Sequence, residues 1–170
     1  MVNQFLRKNR NASLLLTVFR VYLGWQWLNA GWGKISSGNF DASGFLYGAV
    51  KQASGEHPAV QPWWGDFLQD VAIPHVELFN VLVPWGEFLV GIALIFGLFT
   101  NFAMLMGLVM NFAYMFSGTT STNPQMALIG MFILVAGLNA GVIGLDRWIY
   151  PYLKKVLSQK SKQEKFPLSA

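Results

Sequence analysis

Cysteine is missing from the chain, and histidine occurs only twice, at His57 and His75. Without thiols there are no disulfides, thiolate metal sites or iron–sulfur ligands. Neither histidine has a partner at zinc-ligand spacing and no CxxCH is present, so neither a metal nor a covalently bound cofactor is expected. Charge is also scarce. Only 12% of the 170 residues are charged and 54% are hydrophobic, where a soluble domain carries about 25% charge. That balance excludes an ordinary soluble domain and suits one small membrane protein.

A net charge of +4 raises the possibility of nucleic acid, but its distribution excludes that partner. Arg7, Lys8 and Arg10 precede the first apolar run; Arg147, Lys154, Lys155, Lys160, Lys162 and Lys165 follow the last. Basic residues confined to the flanks are the positive-inside pattern of membrane topology. The partner this implies is the lipid bilayer.

Near-continuous apolar runs cover about residues 13–32, 78–99, 102–118 and 126–145. Some 20 residues cross about 30 Å of hydrocarbon. The expected fold is therefore all-α, a four-helix transmembrane bundle over residues 1–156 with a basic, disordered cytoplasmic tail at 157–170. Four spans put both termini on one side, and both are basic, so both are expected in the cytoplasm. The first run is not read as a signal peptide, because Arg20 interrupts it and Gly-Trp-Gly-Lys follows in place of a cleavage site.

The loop at 34–77 counts two lysines against five acids, net −3, which suits the outer face. Asp41 is positioned to cap one short interfacial helix through Gln52, and Pro62 to open a second carrying Trp63, Trp64, Phe67 and Leu68. Pro84 within the second span is expected to release the carbonyl of Asn80.

Two charges lie inside spans. Each costs roughly 2.5–3.5 kcal/mol or more if it faces lipid. Depths measured from the ends of the apolar runs place Arg20 and Glu87 about a turn apart, so the sequence predicts an Arg20–Glu87 pair. On a helical wheel Gly24, Trp27, Gly31 and Lys34 share the Arg20 face, while Asn80 and Gly91 share that of Glu87. Asn111 and Tyr114 lie together on the third span, and Asn139 sits among small residues on the fourth. Two uses of the pair stay open. Arg20 and Glu87 are catalytic, attracting an anion or carbonyl and relaying protons, with Trp27, Gly31, Lys34, Trp85, Asn111 and Tyr114 around a substrate or flat ring. Alternatively the pair is structural, within a scaffold or a carrier of small molecules or lipid.

The segments RVYLGWQWLNAGWGK, GEFLVGIALIFGLFTN and GLNAGVIGLDRW resemble the DoxX/DoxD-like family of bacterial and archaeal membrane proteins, over roughly Phe19 to Tyr152. The family's polar motif corresponds to Arg20, Gly31, Lys34, Glu87 and Gly97, and Asn101 stands where the family often has arginine. The resemblance implies a multi-pass plasma-membrane protein. Its DoxD branch implies the large subunit of thiosulfate:quinone oxidoreductase, with a quinone as acceptor and a small soluble or membrane-anchored redox subunit as partner; it leaves room for a homo-oligomer.

Overall fold

The computed structural model describes residues 2–165, and among them every regular element is helical. A short α1 (Val2–Lys8) leads into the long α2 (Arg10–Ser37); α3 (Ser43–Lys51) and α4 (Pro62–Phe67) lie in the connecting loop. After a π-helical turn at Leu68–Ala72 come α5 (Val76–Phe96), α6 (Thr100–Phe116) and α7 (Asn123–Ala136). A 3-10 turn at Gly137–Ala140 precedes α8 (Asp146–Lys165).

The boundaries have local causes. Asn9 is extended (φ −86°, ψ 134°), and its side chain accepts from the amides of Asn11 and Ala12, so α2 starts at Arg10, ahead of the apolar run. Pro62 occupies the first turn of α4, as expected. Asp41 Oδ1 accepts from Ser43 N at 2.9 Å and Ser43 Oγ at 2.7 Å, which anchors the start of α3.

The fourth apolar run is not one helix. Gly137 (φ 60°, ψ −135°) ends α7, and the run continues as the 3-10 turn and an irregular segment. Asn139 does not face the bundle interior but donates to the backbone of Leu6 at 2.7 Å and Asn9 at 3.1 Å, binding this segment to α1. The α5–α6 connection is Gly97–Phe99, earlier than expected, because Thr100 and Asn101 already belong to α6. At the other end, α8 extends through Lys165, beyond the point where a disordered tail is expected; residues 166–170 of that tail lie outside the described residues.

The antiparallel pair α2–α5 is the backbone of the fold. A Cβ on Gly31 would collide with the backbone of Phe88, and one on Gly91 with that of Leu28. The two helices therefore touch main chain to main chain. These contacts set the register, and the core closes around it through Leu16, Leu23, Trp27, Leu94, Met104 and Ile133. A satellite core of Ala42, Leu46, Ala49, Leu68 and Ala72 organises the long connection between α2 and α5.

The outside of the bundle is apolar. Leu78, Val81, Leu89 and Phe96 on α5, Phe102 and Val109 on α6, and Leu128 and Phe132 on α7 are all exposed. So large a continuous apolar surface marks an interaction with lipid or protein. Among the described residues two helical segments, Val76–Phe96 (mean hydropathy 1.9) and Asn123–Ala140 (1.3), are long and apolar enough to cross a membrane. The apolar α6 is shorter.

Candidate functional site

Glu87 is 1% exposed in the middle of α5, and both of its oxygens are engaged. Oε2 is 2.7 Å from Lys34 Nζ, and Oε1 accepts from the Tyr114 hydroxyl at 2.6 Å. Three helices thus converge on one carboxylate: α2 brings the cation, α5 the anion and α6 the hydroxyl. Lys34 is the partly open member, its side chain 28% exposed. Its ammonium lies 5.8 Å from the centre of the Phe40 ring.

This triad opens onto a cavity of about 530 Å³, within the usual range of small-molecule sites. Gln26, Trp27 and Ala30 of α2, Val83 of α5, and Met110 and Ala113 of α6 form the inner walls. Phe40, Phe45, Leu46, Trp64, Phe67 and Leu68 cover it from the outer loop, while Asn123 and Met126 of α7 close a side. The covering segment is fastened to α6. Trp64 Nε1 donates to Ser117 Oγ at 2.9 Å, and the Trp64 ring packs on Phe67 and Phe116. Phe45 meets the Tyr114 ring edge-on at 5.9 Å. The cavity is mainly apolar, with a charge-compensated corner at Lys34, Glu87 and Tyr114 and a second polar edge at Ser117, Thr119, Ser121, Thr122 and Asn123.

The expected Arg20–Glu87 pair does not form. Arg20 donates instead to the carbonyls of Ala140 (3.2 Å) and Ile143 (2.6 Å) at the far end of the bundle. Arg20 and Lys34 are fourteen residues apart on α2, about 21 Å along its axis. With Gly31 opposite Phe88 and Leu28 opposite Gly91, Lys34 falls level with Trp85 and Arg20 with Phe99, so each long side chain has only about 3 Å along the axis to cover to reach Glu87 or Gly97. A Cβ on Gly97, which has φ 66°, would collide with the guanidinium.

Around Arg20 the chain builds a second polar centre. Asp146, 3% exposed, accepts from the amides of Phe99 (2.6 Å) and Thr100 (2.8 Å) and so caps α6. The backbone amides of Leu145 and Asp146 donate to Phe96 and Gly97. Arg20 and Asp146 together lock the α5–α6 turn, where Phe99 holds a left-handed φ of 45°, to the start of α8 and the segment before it. This centre lines no part of the cavity.

The remaining candidates divide. Trp27, Lys34 and Tyr114 line the cavity with Glu87. Gly31 is buried beneath it at the α2–α5 contact. Asn111 is fully buried on α6 outside the lining, its amide making no hydrogen bond. Trp85 is 49% exposed and packs edge-on against Phe88 on the outer surface. It stands about 200° around α5 from Glu87, so the two cannot share a face. The Trp64 segment, expected to lid the site, lines the cavity, whereas sequence reasoning missed Phe40 in that lining and Asp146 in the second polar centre. An acid between two basic termini, and aromatic residues recurring along an otherwise polar loop, are the signals that point to them.

The DoxX family model matches residues 15–120, which carry the whole Lys34–Glu87–Tyr114 triad. No curated protein and no solved structure matches the chain.

Proposed function

Since the chain belongs to the DoxX family, and so is a membrane protein of the DoxX type, we propose that it spans the plasma membrane of a bacterium or archaeon four times and receives a quinone-class ring in its cavity. The single observation that carries the ligand reading is the meeting of apolar walls with a buried, fully hydrogen-bonded carboxylate in one cavity. The spans are α2, α5, α6 and α7, with both termini cytoplasmic. The exposed apolar girdle and the basic ends support this arrangement.

The residues present suit such a ring. Trp27, Phe45 and Tyr114 offer flat contacts, and Phe40, Trp64 and Phe67 add apolar surface on the loop side. A bound quinone supplies two-electron acceptance. The chain supplies proton handling: the Tyr114 hydroxyl donates toward Glu87, and Lys34 balances the carboxylate charge and reaches the open side. Electrons come from a partner redox subunit, since this chain has no thiol to hold them. A small sulfur species such as thiosulfate is oxidised on that partner. The only cation lining the cavity among the described residues, Lys34, is already neutralised by Glu87, which disfavours a dianion there.

The apolar walls also favour a second reading, a lipid or small-molecule carrier without turnover. One experiment separates the two. The protein is purified from native membranes in mild detergent, and its bound small molecules are identified by mass spectrometry. The proposal expects quinone near stoichiometric amount, reduced on adding the co-purified partner and thiosulfate, with Glu87→Gln and Tyr114→Phe slowing reduction. Recovery of phospholipid alone in the cavity would select the carrier.

A further inference from the structure

A second cavity, about 660 Å³, lies at the basic end of the bundle, remote from the triad. Its rim carries two arginines from distant parts of the chain, Arg10 at the start of α2 and Arg147 at the start of α8. Neither pairs with a carboxylate among the described residues. The neighbouring acid, Asp146, is turned inward onto the amides of Phe99 and Thr100. Between the arginines the floor is Ser13 and Gly144, and Ser13 Oγ is spent on the carbonyl of Arg10. The walls are Leu14, Val142, Ile143 and Trp148, every one exposed. A concave surface with two cations on its rim and oily walls matches an amphiphile with an anionic head.

The helix that follows continues the same chemistry. Every residue from Pro151 through Gln159 is exposed, so α8 leaves the bundle after its first turns. Trp148 (65%), Tyr152 (67%) and Val156 (42%) recur at four-residue spacing and form one apolar stripe. Lys155 falls about 60° from Tyr152 on the wheel. A basic helix with such a stripe lies flat in the headgroup region of an anionic leaflet.

We propose that Arg10 and Arg147 hold the phosphate of an anionic phospholipid, whose acyl chains descend along Leu14, Val142 and Ile143, and that α8 rests on the same leaflet beside it. A soluble phosphate would gain nothing from those walls. The inference rests on the membrane embedding proposed above but not on the quinone, so its failure leaves quinone recovery unaffected.

Native mass spectrometry of the full chain in mild detergent, with added phosphatidylglycerol or phosphatidylcholine, tests it. Phosphatidylglycerol should bind its first site at least about tenfold more tightly. Arg10→Gln and Arg147→Gln should each weaken it about fivefold, as expected for one basic residue near an anionic headgroup, with phosphatidylcholine binding unchanged. Both side chains are exposed, and circular dichroism verifies that the variants fold. Lys154→Gln/Lys155→Gln should retain most of the preference. Equal affinity for the two lipids, an undiminished preference in both arginine variants, or displacement of phosphatidylglycerol by millimolar inorganic phosphate would each overturn the assignment.

Discussion

Lys34 and Glu87, carried by helices running in opposite directions, meet at 2.7 Å with very different access to water: the lysine side chain is 28% exposed and the glutamate 2%. Loss of the lysine strands a buried anion, whereas loss of the glutamate leaves a cation that can turn outward.

That asymmetry gives the first prediction. Lys34→Met should destabilise the protein by about 3 kcal/mol or more, the usual result of leaving a buried charge unpaired. Glu87→Gln, which can keep the Tyr114 contact, should cost about half as much. Thermal unfolding in one detergent checks the order, and equal losses would mean that Lys34 does not bear the charge of Glu87.

Arg20 is expected to act through stability. Arg20→Ala removes two hydrogen bonds to the carbonyls of Ala140 and Ile143 and takes away the cation beside Asp146. A loss of about 3 kcal/mol is expected, with the stoichiometry of cavity ligand unchanged in protein that remains folded. Loss of ligand without loss of stability would return Arg20 to the site.

The glycines of the α2–α5 contact should be intolerant of one methyl group. Gly31→Ala and Gly91→Ala each force backbone against backbone and should cost at least about 1–3 kcal/mol. Gly33→Ala meets nothing within 4 Å and should be neutral or stabilising by about 0.5–1 kcal/mol. The three variants in one unfolding series decide whether the contact, rather than helix propensity, governs.

Asp41 should make the outer loop sensitive to acid. The Ser43 amide and hydroxyl hold its carboxyl below the ordinary Asp range. A lowered folded value means that its contribution is complete above the unfolded pKa of about 3.9 and is lost as pH falls through the folded one. Amide exchange at Ser43 should therefore lose protection below about pH 4, while Asp41→Asn should show no such step.

Much of this architecture was legible in the residues. The all-helical fold, the Pro62 start and the Asp41 anchor follow from periodicity and capping chemistry, and Trp27, Lys34, Glu87 and Tyr114 all stand out as candidates in the sequence. The pairing was not legible from depth. Hydropathy marks where an apolar run ends, but Asn9 starts α2 ahead of its run, and the vertical register belongs to Gly31 and Gly91. Counting from those glycines instead puts Lys34 within about 3 Å of the level of Glu87 and Arg20 roughly 20 Å away from it. Gly137 was hidden for another reason: a left-handed break inside GLNAGVIGL leaves the run apolar throughout.

The acid that secures the turn between α5 and α6 is encoded 46 and 47 positions after the amides it holds. During synthesis that hairpin emerges with Phe99 and Thr100 unsatisfied and stays so until almost the whole bundle has been made. Latching of this corner thus waits for Asp146, and a ribosome-bound intermediate stopped short of that residue would hold α1 through α7 with the corner unlatched.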